Sequence, residues 1–188
     1  MKVTVNPIGT AINQYLMKIA LPLGGYFIIE YLVRNYSASN ILLGLLNIPM
    51  MALTAVFLYV IIRGLRDKIL DGHISGLYAW TFGVQLMFFA GLIEASFIYI
   101  YNEFIFPDNL LNVHNLMIEQ YKEVLSSLQN VQSSGMSASL LSMMNDTIEI
   151  MEKTPVSTAI ESAITMLSNN IFYGMIIMMF EAPIIRKK

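Results

Sequence analysis

Five ionisable side chains stand in stretches of sequence that are otherwise almost wholly apolar: Lys18, Glu30, Glu94, Glu161 and, near the end of the last stretch, Glu181. Such groups are costly to leave unpaired in an apolar medium, so they are the first candidates for chemistry. Glu30 has Arg34 one helical turn later, and the simplest expectation for that i,i+4 spacing is an interfacial ion pair. Glu94 lies among small residues, because Ala79, Gly83, Gly91 and Ala95 recur at multiples of four. At about 100° per residue, Glu94 falls about 20° from Gly83. Small residues let helix backbones approach closely, so Glu94 is expected to point into a helix bundle, protonated or hydrogen-bonded.

Two further stretches repeat the theme. Ser157, Glu161, Thr165 and Ser168 or Asn169 draw a polar stripe, and Asn47 shares a face with Gly44, Met51 and Thr54. Pro49, beside Asn47, removes one backbone N–H and is expected to bend its helix. Asn47, Glu94, Glu161, Thr165 and Asn169 therefore form a candidate intramembrane polar cluster, in which Asn47, Glu94 and Glu161 lie about 10 Å in from the outer helix ends at 1.5 Å per residue. One reading is a cavity for a cation or a proton. The other is polar glue, side chains hydrogen-bonded across helices and worth about 0.6 kcal/mol each. Glue is favoured, because no cation-site spacing stands out.

Catalytic, cofactor-binding and metal-binding constellations are not expected. His73 lies in the turn Asp71-Gly72-His73-Ile74-Ser75, where Ser75 can cap the next helix, and His114 falls on an amphipathic segment expected on the other side of the membrane. HExxH, GxSxG and phosphate-binding-loop patterns do not occur. With no cysteine in the chain, thiol catalysis and cysteine-based metal sites are excluded.

The elements that must position these residues follow from composition. The 188 residues are 56% hydrophobic and 13% charged, against roughly a quarter charged in ordinary soluble domains. Mean hydropathy is +0.60. A net charge of −2 offers no basic surface for nucleic acid. The chain reads as an all-α membrane protein, a single domain over residues 1–188. Spans of about 20 apolar residues are needed to cross a bilayer, and four qualify: 15–33, 41–62, 77–101 and 155–185. The first is expected to be a retained helix and not a cleaved signal. Thr154 and Pro155 suit the N-cap and first position of the last.

Cations set the orientation. Arg63, Arg66, Lys68, Arg186, Lys187 and Lys188 share one side, joined by Lys2 and Lys18. The connection 102–153 instead holds Glu103, Asp108, Glu119, Glu123, Asp146, Glu149 and Glu152 against Lys122 and Lys153. Both termini are expected in the cytoplasm and the acidic connection outside. Leu110, Val113, Met117, Tyr121, Val124 and Leu128 draw one apolar stripe, and Met136, Leu140, Met144, Ile148 and Met151 a second. Asp108 suits the cap of the first helix, and Ser133-Ser134-Gly135 signals a turn between the two. The connection is therefore expected to be an extracytoplasmic amphipathic helical hairpin between the third and fourth spans.

Several stretches together resemble a known family. Gly72-His73-Ile74-Ser75-Gly76-Leu77-Tyr78-Ala79 opens the third span, and Phe97-Ile98-Tyr99-Ile100-Tyr101-Asn102-Glu103-Phe104-Ile105-Phe106-Pro107 closes it. A helical insert, a last span and a basic ending follow. The chain is similar to the four-helix membrane proteins of the domain of unknown function 4199 family, common in Bacteroidota. It departs locally, with Ser75-Gly76-Leu77 where the family pattern has Ser-Phe-Gly. The resemblance carries no catalytic residues. It implies a bacterial inner membrane with residues 102–153 periplasmic, and it points to envelope biogenesis.

The leading expectation is a non-enzymatic accessory or scaffold protein of that membrane, without cofactor. Its partners would be the lipid bilayer and a membrane-protein partner or a second copy of itself, and no nucleic acid. The alternative is a small cation- or proton-coupled transporter or channel component using Glu94 and Glu161. Lipid handling at the outer interface is a third possibility.

Overall fold

The computed structural model describes residues 7–37, 41–130 and 138–185. The regular elements among these residues are helices: α1 (Pro7–Ser37), α2 (Ile41–Lys68), α3 (Gly76–Ile100), α4 (Asn109–Asn130), α5 (Ala138–Lys153) and α6 (Ala159–Ile185), with a π-helical turn at Tyr101–Ile105 between α3 and α4. Helices α1, α2, α3 and α6 are long and apolar enough to cross a membrane. Only 22% of the apolar stretch of α2 and of α6 is buried within the protein. Large apolar side chains such as Leu21, Ile48, Phe180 and Ile184 face outward, which is tolerable only where the surrounding medium is itself hydrocarbon.

Helix α3 is the axis of the bundle. Ser75, with extended backbone, caps it by accepting a hydrogen bond from Tyr78 N. Ala79, Phe82, Gly83, Leu86, Met87, Ala90, Gly91, Glu94, Ala95 and Ile98 are all buried along it. Its tightest neighbour is α6, and the reason is a reciprocal fit. Met178 of α6 lies over Gly83, where an added Cβ would sit 2.5 Å from Met178 Sδ. Met87 of α3 lies over Gly174, where an added Cβ would sit 2.5 Å from Met87 Cγ. Each helix thus inserts a flexible methionine into the glycine gap of the other. On the other side of α3, Gly24 of α1 meets Ile93, where an added Cβ would sit 2.8 Å from Ile93 Cβ.

Helix α1 turns Leu16, Ala20, Leu23, Phe27 and Tyr31 inward, three- and four-residue steps along one face. Helix α2 buries Leu58, Ile62 and Leu65 completely but packs mainly at its second half. It is also tied by polar donors to main-chain carbonyls. Tyr15 OH donates to Ile61 O at 3.0 Å, Tyr26 OH to Met50 O at 2.6 Å and Tyr173 OH to Met51 O at 2.9 Å. The buried Arg66 donates from Nη1 to Ile185 O at 2.8 Å and from Nε to Asp67 Oδ1 at 2.7 Å. A cation counted from sequence as a marker of membrane side therefore also satisfies a carbonyl at the C-terminus of α6. Between α2 and α3 the chain reverses through Asp71 at φ 48° and Gly72 at φ 83°, the left-handed region that glycine occupies without strain.

The last membrane helix starts later than its sequence boundary implies. Thr154 does not cap it: its hydroxyl donates to Ile150 O at 2.7 Å, in the last turn of α5. The cap is Thr158. Thr158 N donates to Glu161 Oε2 at 2.8 Å, and Glu161 N to Thr158 Oγ1 at 3.3 Å. That reciprocal pair is a capping box, and it outcompetes Thr154-Pro155 because it satisfies two orphan donors instead of one.

Helices α4 and α5 pack on each other through Leu125, Leu141 and Ile148, supported by Leu128 and Met144. Lys122 Nζ lies 2.6 Å from Glu152 Oε1. The Ser133-Ser134-Gly135 turn and Met136 lie outside the described residues, as do Lys2 and the basic ending 186–188.

The methionine–glycine fit makes a direct prediction. Gly83→Leu or Gly174→Leu should destabilise the protein by about 1–3 kcal/mol through overpacking, read as a lower melting temperature of the purified protein in detergent. Adding Met178→Ala to Gly83→Leu should return part of the loss. Unchanged melting in both single variants would mean that α3 and α6 do not interlock in this way.

Candidate functional site

One cleft collects the polar groups of the bundle. It has a volume of about 300 Å³ and is walled by Phe27, Glu30 and Arg34 of α1, Met51 and Thr54 of α2, Glu94 of α3, and Met166, Asn169, Asn170, Phe172 and Tyr173 of α6. Glu30 stands seven positions before the end of α1 at Ser37 and Glu94 six before the end of α3 at Ile100, about 10 Å of helix at 1.5 Å per residue. The cleft therefore belongs to the half of the bundle that carries α4 and α5. Helix α2 meets α3 and α6 only sparsely; its fully buried apolar side chains Leu58, Ile62 and Leu65 lie in the other half, and Thr54 is buried at the cleft. In the cleft half, the tyrosine bonds to Met50 O and Met51 O hold α2 at a distance set by a ring and its hydroxyl.

Glu94 forms the floor. The residue is 2% exposed, and Asn170 Nδ2 donates to its Oε2. Asn170 reaches it because Gly91, one turn earlier on α3, leaves room: a Cβ there would lie 3.2 Å from Asn170 Nδ2. Thr54, 1% exposed, adds a hydroxyl from α2. The rim carries Glu30, half-buried, and Arg34, exposed. These two do not close into the expected salt bridge. Arg34 Nη2 lies 3.6 Å from Met166 Sδ, a weak acceptor. Among the described residues the ion pairs are Arg63–Asp67, Arg66–Asp67, Lys122–Glu152 and Lys153–Glu149; none involves Glu30, Arg34 or Glu94.

The structure sorts the residues singled out from sequence. Glu94, Asn169, Glu30 and Arg34 share the cleft. Glu161 does not: it is exposed in the first turn of α6 and engaged in the capping box with Thr158. Thr165 is exposed and lies outside the cleft lining. Asn47 also lies outside it, with a buried Oδ1 that has no partner among the described residues. The polar stripe read on α6 faces outward because the buried face is set by small residues, Ala163, Gly174 and Ala182. Asn170 lies on that face, one turn before Gly174, and the stripe pattern points to its neighbour Asn169 instead. A signal for Asn170 exists all the same: it stands four residues before Gly174, on the small-residue face, as Glu181 stands seven after it.

A second polar network sits at the junction of the bundle with α4. Asn35 Nδ2 donates to Asn109 Oδ1 at 2.9 Å, Asn109 Nδ2 to Asn102 Oδ1 at 2.8 Å, and Asn102 Nδ2 to Tyr31 OH at 2.8 Å. Asn102, in the π-helical turn, is 3% exposed, and Tyr31 packs edge-on against Tyr101 and Phe97. The extra residue of a π-turn rotates Asn102 inward toward α1. Among the described residues no group of three or more His, Cys, Asp or Glu is arranged to hold a metal ion. What the cleft offers is two carboxyl groups, a guanidinium and an amide pair in an apolar wall, a set suited to binding charge.

The Glu94–Asn170 contact can be tested as a unit. Asn170→Leu should leave a buried carboxyl without its donor and cost about 1–3 kcal/mol, measured by thermal unfolding in detergent. Adding Glu94→Leu should cost less than the sum of the two single changes, because the stranded group is then gone. Strict additivity would separate the two residues.

A family profile described as protein of unknown function (DUF4199) matches residues 17–187. No curated protein and no solved structure matches the chain.

Proposed function

We propose that the chain, which belongs to the DUF4199 family, is a non-enzymatic accessory or scaffold protein of a bacterial inner membrane, serving envelope biogenesis. Its α4–α5 insert would lie on the periplasmic side and dock a membrane-protein partner, with both termini in the cytoplasm. The observation that carries this reading is the face that α4 leaves uncovered. Met117, Tyr121 and Val124, spaced by four and three, are 43%, 43% and 50% exposed. Of the six-residue stripe these three are exposed while Leu128 packs against the α4–α5 core, and Ile118 and Leu125 turn inward. An apolar helical stripe rimmed by Glu119 and Glu123 is the form in which helices present themselves to a partner groove. The cleft's side chains suit the holding of charge, in keeping with a non-enzymatic role.

A second reading draws on the cleft: a small cation- or proton-coupled transporter component. It rests on Glu94 with Glu30, since Glu161 is committed to its capping box. Glu94→Gln should then abolish ion or proton flux in vesicles, and an unaltered flux, or none in the parent protein, would remove this reading.

Photo-crosslinking probes placed at Met117, Tyr121 and Val124 should trap a neighbouring membrane protein in native membranes, whereas a probe at the buried Leu125 should not. Failure of all three exposed positions would count decisively against docking. Because the chain holds no cysteine, orientation is accessible through single introduced cysteines. Glu123→Cys should react with a membrane-impermeant maleimide once the outer membrane is opened, and Lys68→Cys only after the inner membrane is permeabilised. The reverse pattern would invert the topology.

A further inference from the structure

We propose that the cleft between α1, α2, α3 and α6 binds a zwitterionic phosphoethanolamine group, the headgroup of phosphatidylethanolamine or the free compound, with Arg34 holding the phosphate and Glu30 and Glu94 the ammonium. The inference goes beyond the docking role of α4–α5 and does not depend on it.

Glu30 and Arg34 are one turn apart on α1, where side chains meet readily, and in apolar surroundings an unpaired charge is far more costly than in water. Yet Arg34 is turned to Met166 Sδ, and it acts on Glu30 and Glu94 through space without coming within salt-bridge distance of either. Opposite charges thus line one cleft of about 300 Å³ without closing on each other. A guest carrying both signs satisfies both walls at once, whereas a lone cation leaves Arg34 unpaired and a lone anion leaves the carboxyl groups facing it. The volume is at the small end of ligand sites, roughly 300–1,000 Å³, enough for a headgroup and not for its acyl chains.

The cleft's position suits a lipid. Two of its lining residues, Met51 of α2 and Phe172 of α6, are 46% and 65% exposed on the surfaces that face hydrocarbon. The mouth therefore lies between α2 and α6 toward the bilayer, and acyl chains can remain outside along those helices. Arg34 is the nearest of the charged groups to the helix end, at the depth of phosphates, and its planar fork suits phosphate oxygens. The carboxyl groups lie deeper, where a primary ammonium can donate to them. A quaternary choline group has no N–H to offer, and a glycerol headgroup has no cation. Selectivity for ethanolamine over choline and glycerol follows.

The test uses the full chain, reconstituted from mixed micelles holding equal amounts of phosphatidylethanolamine, phosphatidylcholine and phosphatidylglycerol, with retained lipid quantified by mass spectrometry after purification. The parent protein should retain phosphatidylethanolamine with roughly tenfold preference; Glu30→Gln should remove most of that preference, and Arg34→Gln should lower the retained lipid by roughly tenfold, the worth of one charge-assisted bond. Arg34→Lys, which keeps the charge, should retain binding. Both positions lie on the rim, so the variants can be checked for unaltered melting. Excess soluble phosphoethanolamine separates the two sources: displacement assigns the site to the free compound, persistence of the bound lipid to the membrane. Equal retention of the three lipids, or variants that melt normally and retain lipid as the parent does, would overturn the proposal. Crosslinking from α4 should be the same in these variants, so failure here and failure of docking are read separately.

Discussion

The interlock of α3 with α6 is the constraint on which the rest of the bundle depends. In hydrocarbon, apolar side chains gain nothing by leaving solvent for protein, so helices hold together by close fit and by polar contacts. Met87 in the gap of Gly174 and Met178 in the gap of Gly83 supply the fit twice, in opposite directions. That double registration fixes both the rotation and the axial position of α6. Asn170 stands one turn from Gly174 and Glu94 two turns from Met87, so the same registration brings the amide to the carboxylate. The hydrogen bond follows from the packing and then adds to it.

Helix α2 is held by a different principle. Its contacts with α3 and α6 are sparse, and much of its attachment is through donors that reach its main chain or, from Arg66, reach out to another. A carbonyl in a helix keeps a free lone pair after its intrahelical bond, so tyrosine hydroxyls can attach a helix without breaking its ladder. Such attachment works at the length of a side chain instead of at backbone contact. The space that results, between the tightly packed half of α2 and its tethered half, is the cleft.

The architecture is largely legible in the sequence because a bilayer imposes length and hydropathy on whatever crosses it. Four apolar stretches, the acidic connection and the cap at Ser75 can be read from residue type alone. Two kinds of feature cannot. One is competition between local signals: Thr154-Pro155 and Thr158…Glu161 are both credible helix starts, and only the reciprocal bonds of the capping box decide between them. The other is azimuth. On α6 the polar stripe of Glu161, Thr165 and Asn169 is more conspicuous than the small-residue face carrying Asn170, but in a membrane protein it is the small residues that mark the inside. On α3, where Gly83 and Gly91 set the same rule, they orient Glu94 correctly. On α4, Met117, Tyr121 and Val124 form a stripe as regular as Ile118 and Leu125, and periodicity alone does not say which one α5 covers.

The two polar networks are not independent, because α1 carries one member of each in alternation. Glu30 and Arg34 face the cleft, while Asn35 and Tyr31, the next residue in each case, begin and end the amide chain that passes through Asn109 at the start of α4 and Asn102. Neighbouring residues on a helix are about 100° apart, so α1 presents adjoining faces to the two sites, and a rotation that serves one disturbs the other. The amide chain is directional, each side chain donating onward to the next and the last to a tyrosine hydroxyl, and it leaves little slack. The first turn of α4 is thereby tied to the same segment of α1 that carries Arg34 and Glu30, so the base of α4 and the cleft rim share one helical segment as their common support.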